Sequence, residues 1–151
     1  MKNFILLLFI STSAWSQQLP SVEQVSFKQD TVRIDAFGAK RDGMTSNTLA
    51  IQRAITTCHE KGGGTVLIPK GFWLTGPLQL ESNVNLHISE GAVLQFSDKP
   101  DDYPLIKTSW EGLESIRAHA PIYGVDAENI AITGGGILDG AGQVWRLVKK
   151  N

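Results

Sequence analysis

Residues 65 to 94 read Thr65-Val66-Leu67-Ile68-Pro69-Lys70-Gly71-Phe72-Trp73-Leu74-Thr75-Gly76-Pro77-Leu78-Gln79-Leu80-Glu81-Ser82-Asn83-Val84-Asn85-Leu86-His87-Ile88-Ser89-Glu90-Gly91-Ala92-Val93-Leu94. The apolar residues recur with period two: Val66 and Ile68, Phe72 and Leu74, Leu78 and Leu80, Val84 and Leu86, then Val93, with Ile130 and Ile132 following downstream. Each run is short and ends at Gly, Pro, Asn or Ser, the pattern of short strands parted by turns. Val66 and Ile68 stand eighteen residues before Val84 and Leu86. That spacing predicts one turn of a solenoid of stacked strands, because no two-residue Asn-Gly or Asp-Gly loop joins these runs into hairpins.

An internal repeat points the same way. Asn83-Val84-Asn85-Leu86 followed by Gly91-Ala92-Val93-Leu94 resembles Asn129-Ile130-Ala131-Ile132 followed by Gly135-Gly136-Ile137-Leu138, with a two-residue gap. Between the copies, residues 97 to 121 are rich in Asp and Pro, carry Trp110, and predict a long loop leaving the solenoid body, a kind of loop that often borders a binding surface.

Upstream, Ala50, Ile51, Ala54, Ile55 and Cys58 fall on one face of a helix running from Asn47 to about Glu60. Ser46 or Asn47 is the expected N-cap, and Lys61 with Gly62 the expected C-terminal end. Placed before the first coil, that apolar face would cover the open end of a solenoid core. Thr31 to Phe37 alternates like one short strand, with Gly38 and Asp42-Gly43 as turns.

The chain has 151 residues with 42% hydrophobic and 19% charged, which fits one ordinary globular domain. Its formal net charge is −1 and no stretch concentrates Lys and Arg, so no nucleic-acid partner is expected. Lys2, the apolar run from Phe4 to Ile10 and the small residues Ala14 and Ser16 predict a secretory signal peptide over residues 1–16, cut before Gln17. Residues 17–30 are polar and aperiodic, a loose leader, and residues 31–151 form the domain. No later segment is apolar enough to span a membrane, and the signal peptide makes an exported product, periplasmic or extracellular, the expectation. The single Cys58 excludes an internal disulfide and is expected to pack as a small apolar residue.

The run Asp35-Ala36-Phe37-Gly38-Ala39-Lys40 to Asp42-Gly43, then Asn47-Thr48, Ala50-Ile51-Gln52 and Ala54-Ile55, resembles the entry segment of pectin-degrading β-helix proteins. The match continues through Gly62-Gly63-Gly64-Thr65-Val66, Pro69, Gly71, Leu74-Thr75-Gly76-Pro77 and Ser82-Asn83-Val84. Gly91-Ala92, Asp102-Tyr103-Pro104 and Ile137-Leu138-Asp139-Gly140 then resemble glycoside hydrolase family 28, the polygalacturonases. The likeness runs from about Thr31 to Trp145. It implies an all-β fold, a right-handed parallel β-helix (single-stranded solenoid) of which only the N-terminal coils are present, capped by one amphipathic α-helix.

The resemblance implies inverting hydrolysis of α-1,4 bonds to galacturonic acid in pectic polysaccharide, without a cofactor, by a protein that is a monomer when full length. The family's catalytic motifs, Asn-x-Asp, Asp-Asp, Gly-His-Gly and Arg-x-Lys, have no true counterpart here. No catalytic residue is therefore assigned, and the piece alone is expected to be inactive. Asp101-Asp102 imitates the aspartate pair but precedes Tyr103-Pro104, where the family carries a structural Asp-Tyr-Pro.

Asp139 reads as a turn-forming carboxylate. His59, His87 and His119 lack metal-ligand spacing, so no metal is expected. Gly62-Gly63-Gly64 runs from helix to strand, against the order of a phosphate cradle, and Gly134-Gly135-Gly136 precedes no amphipathic helix. Trp73, Trp110 and Trp145 are aromatics able to stack on sugar, although large aromatics more often serve as packing at coil and loop junctions, and Trp110, in the inserted loop, is the best candidate for a substrate contact. Two rival readings stand: a calcium-dependent pectate lyase, which the lack of clustered acidic ligands disfavours, and a non-catalytic tailspike or adhesin β-helix.

Overall fold

The computed structural model describes residues 24–145; the signal-peptide reading over residues 1–16 lies outside them. In chain order the elements are β1 (Thr31–Arg33), β2 (Asp42–Ser46), α1 (Thr48–Glu60), β3 (Gly64–Ile68), β4 (Gly71–Thr75), β5 (Leu78–Leu80), β6 (Val84–Ile88), β7 (Ala92–Phe96), β8 (Leu105–Trp110), β9 (Leu113–Ala118), β10 (Ile122–Gly124), β11 (Ala131–Thr133) and β12 (Ile137–Asp139). Residues 24–30 carry no regular strand or helix, although Ser26 and Asp30 accept hydrogen bonds through their carbonyls from Asn129 Nδ2 and Thr65 N.

The strands stack in parallel on three faces. One sheet has the order β1-β3-β6-β11, a second β12-β7-β4-β2, and a third pairs β10 with β5. Apart from β8 and β9, consecutive strands in sequence lie on different faces and pair only with the turn above or below, which is the topology of a solenoid. Hairpin pairing of residues 65 to 96 is thereby excluded.

The register corrects the expected spacing. Val66 lies beside Leu86 and Ile68 beside Ile88, so the turn is twenty residues, not eighteen. Side chains alternate with period two, so an offset of eighteen or of twenty keeps the same faces inward, and pattern alone does not choose between them. Both halves of the internal repeat are in register as expected: Leu86 with Ile132 and Val93 with Ile137. At the corner, Asn83 and Asn129 both take positive φ, and Asn129 Nδ2 donates to Asn83 Oδ1 at 3.0 Å.

In β4 and β7 the inward parity is also the reverse of the expected one. Trp73, Thr75, Ala92, Leu94 and Phe96 are buried, while Phe72, Leu74 and Val93 look outward. Both parities are apolar there, so alternation does not choose a side, whereas Trp73 inside finds a partner for its indole N–H in the Pro69 carbonyl at 2.7 Å.

The strand at Thr31 stops at Arg33, and Ile34–Phe37 forms a 3-10 turn closed by Gly38 at φ 85°. Asp42-Gly43 is not a free turn but the start of β2, whose pairing with β4 is irregular between Asp42 and Ser46. The extra residues curl so that the Asp42 carboxylate accepts from the backbone N–H of Met44 and Thr45 and from the Thr45 hydroxyl.

Helix α1 buries Ile51, Ala54, Ile55 and Cys58 in the same core as Val66, Leu86 and Leu94. Its ends differ from expectation on one side only. Asn47 makes no side-chain cap; its buried amide bonds the backbone of Lys40, Thr45 and Leu74 and joins the first turn to β4. At the other end Gly62 adopts φ 88° and donates to His59 O.

Along its length α1 supplies what a neighbouring strand would give β5. Gln52 Nε2 donates to Gln79 O and Gln52 Oε1 accepts from Gln79 N, both at 3.0 Å. Thr48 Oγ1 accepts from Gly76 N, and Thr56 Oγ1 donates to Glu81 Oε1 at 2.6 Å. The backbone groups of β5 not used by β10 therefore have partners, as buried strand edges require.

Candidate functional site

The residues between β7 and β10 form a hairpin on a fastened base rather than the open loop expected. Strands β8 and β9 pair antiparallel from Leu105↔Ala118 to Trp110↔Leu113. Glu111 and Gly112, at φ 51° and 84°, form the two-residue link, a backbone twist that matches paired strands. The sequence signal was present as Glu-Gly, outside the Asn-Gly and Asp-Gly pairs usually sought.

The base is held by the Asp102-Tyr103-Pro104 segment. Tyr103 is buried and its hydroxyl donates to Ser97 O at 2.8 Å; burial raises its pKa above the ordinary phenol range. The Ser97 hydroxyl donates to the Asp102 carboxylate. The Pro104 carbonyl accepts from His119 N, and the Pro121 carbonyl accepts from Leu78 N, which returns the chain onto the third sheet. Asp101-Asp102 thus sits in a short 3-10 turn with Asp102 engaged in fastening, as a structural segment does.

Asp139 is likewise a turn carboxylate. It accepts from Ala141 N at 2.9 Å and from Gln95 Nε2 at 3.0 Å, and these two bonds, the backbone one foremost, lower its pKa. The histidines are separated: His59 at the helix end bonds Ser82 O, His87 on a strand face bonds Thr133 Oγ1, and His119 stacks against Tyr123 with ring centres 3.7 Å apart. Among the described residues no three His, Cys, Asp or Glu side chains are grouped to hold a metal ion. Cys58 is buried, and burial raises its thiol pKa. The glycine runs are close turns: a Cβ at Gly63 would meet Asn83, and one at Gly134 would overlap the Ile88 carbonyl.

The three tryptophans have three different fates. Trp73 is enclosed in the core, which removes it as a sugar contact. Trp145 meets Tyr103 edge-on at 4.9 Å, beside the insert base. Trp110 stands at the hairpin end, 55% exposed, with the Arg117 guanidinium carbon 4.0 Å from its ring centre. Trp110 stands out in the sequence and Arg117 does not, because seven positions of chain separate them and only the hairpin brings them together.

The described coils match known proteins. The family model for rhamnogalacturonase A/epimerase, pectate lyase-like, covers residues 31–90. The exo-poly-alpha-D-galacturonosidase of Dickeya chrysanthemi is 36% identical over 123 residues, which is 76% of this chain and 20% of that protein. Among solved structures, a hyperthermoactive exopolygalacturonase from Thermotoga maritima superposes with a TM-score of 0.73 at 37% identity, over 80% of this chain and 27% of that one. The family 28 exopolygalacturonase of Yersinia enterocolitica gives 0.68 at 39% identity, over 75% and 21%. The chain spans between a fifth and about a quarter of the length of these relatives. It belongs to the pectin-lyase-like parallel β-helix superfamily, and the relatives it resembles over about three quarters of its length include polygalacturonases, among them a family 28 exopolygalacturonase.

Proposed function

We propose that this chain is the first part of an exported glycosidase that hydrolyses bonds between galacturonic acid residues in pectic polysaccharide, with inversion and without a cofactor. The observation that carries the reading is the extent of the likeness. The general family model stops at residue 90, whereas the match to the galacturonosidase runs over 123 residues, about twice as far.

In this proposal the described coils serve as a foundation. They wind right-handed, as nearly all parallel crossovers do, and α1 closes the first turn. Inversion needs an acid and a base roughly 6.5–9.5 Å apart so that water fits between them. In strands stacked about 4.8 Å apart, diagonal neighbours on adjacent rungs stand about 7–8 Å from each other, so rungs added beyond β11 and β12 would be suited to the task. No carboxylate among the described residues is assigned the role.

The test is an assay of the full-length protein on polygalacturonate. Release of reducing ends, with the first-formed anomer inverted by proton NMR, is the expected result. Unsaturated, ultraviolet-absorbing products would overturn it in favour of a lyase, and no product from polygalacturonate or rhamnogalacturonan would favour a binding role.

A further inference from the structure

We propose that one face of the β8–β9 hairpin, carrying Trp110, Arg117, Thr108 and Ser115, binds an acidic sugar chain. The choice of sugar rests on the pectic reading above; the site itself rests on the geometry of the hairpin.

Directly opposed residues of an antiparallel pair share a face. The register therefore sets Ile106 with Arg117, Thr108 with Ser115, and Trp110 with Leu113 on one side. Lys107 and Glu114 alternate to the other side, where their opposite charges offset each other. Arg117 is thus the one charged side chain that these strands place on the Trp110 face.

The three features on that face answer the three features of a uronic acid. The half-exposed indole offers a flat surface to the apolar C–H side of a sugar ring. The Thr108 and Ser115 hydroxyls, opposed in mid-hairpin, donate to and accept from ring hydroxyls. The Arg117 guanidinium, already lying against the indole, keeps its planar fork of donors for a carboxylate and has less freedom to lose on binding. A positive charge at the aromatic platform selects an acidic sugar over a neutral one.

The experiment measures binding of the full-length protein to a sulfur-linked hexagalacturonate, which resists hydrolysis, and to a neutral hexagalactan, by calorimetry. W110A and R117Q are each expected to weaken hexagalacturonate binding roughly tenfold, with R117K recovering part of the loss and added salt reducing the affinity. Binding of the neutral sugar should be insensitive to R117Q. Unchanged affinity in both variants overturns the proposal, as does failure of the wild-type protein to bind. A shift of W110A from dimer to monomer in sedimentation, with sugar affinity intact, also overturns it and assigns the face to a second copy. Wild-type binding without release of reducing ends from polygalacturonate would leave this site standing and remove the hydrolase reading instead.

Discussion

The stacked coils and the inserted hairpin use similar residues and place them in opposite relations to water. In the coils Val66, Leu86 and Leu94 are fully buried, whereas in the hairpin Leu105, Leu113 and Ile116 are at least two-thirds exposed. The coils close on three sheets, so inward side chains such as Val66, Leu86 and Leu94 meet others across a core; the hairpin has two strands and no second layer among the described residues. A two-stranded ribbon alone is marginally stable. Its shape here is set by the base, where Tyr103, Ser97 and Asp102 fasten it, and by Glu111-Gly112 at the turn. The coils therefore carry the stability, and the hairpin carries exposed chemistry.

Substitutions can break or sharpen that contrast. Leu86 lies between Val66 and Ile132 in the central rungs, and Leu86→Ala should cost about 3 kcal/mol in urea unfolding from lost burial and the remaining cavity. A cost under 1 kcal/mol would contradict a tightly packed core. Asn47→Ala should cost about 2 kcal/mol, because it strands the Lys40 N–H and the carbonyls that the buried amide serves.

Tyr103→Phe tests the fastening, with an expected loss of about 1 kcal/mol and faster amide exchange confined to residues 97–121. Burial raises the folded Tyr103 pKa, so its contribution is present below the ordinary phenol value near pH 10 and is lost as pH rises above it. The Phe variant should lack that alkaline decline.

Asp42 is held down to about 2, first by the Thr45 backbone N–H, then by the Thr45 hydroxyl and the Met44 N–H. Its folded value lies below the unfolded one, so its contribution is present above about pH 4 and is lost as pH falls toward 2. Asp42→Asn should flatten the stability profile over that interval, read as urea midpoints against pH. The smallest effect is expected in the hairpin: Leu113→Ala should change stability by less than about 0.5 kcal/mol, since little is buried there. A larger loss would mean that another part of the molecule covers that face.

Much of the coil architecture was legible in residues. The repeat of Asn83 and Asn129 fell in register, and the helix face around Ile51 and Ile55 was buried. The candidate site was legible only in part. Trp110 stood out as an aromatic in an insert, yet Arg117 acquired meaning only once β9 folded back against β8.

Local patterns determine that a strand or helix exists, because alternation and capping act within a few residues of chain. Register, parity and partner choice are settled by contacts twenty or more residues away. Period-two alternation cannot tell a turn of eighteen from one of twenty, and a run apolar on both parities cannot say that Trp73 rather than Phe72 goes inside. Asn47 looked like a helix cap until the turn bearing Leu74 stacked beside it and offered its backbone instead. For this protein the sequence alone determined the kind of coil; the tertiary stack decided how the coils meet and which side chains remain facing water.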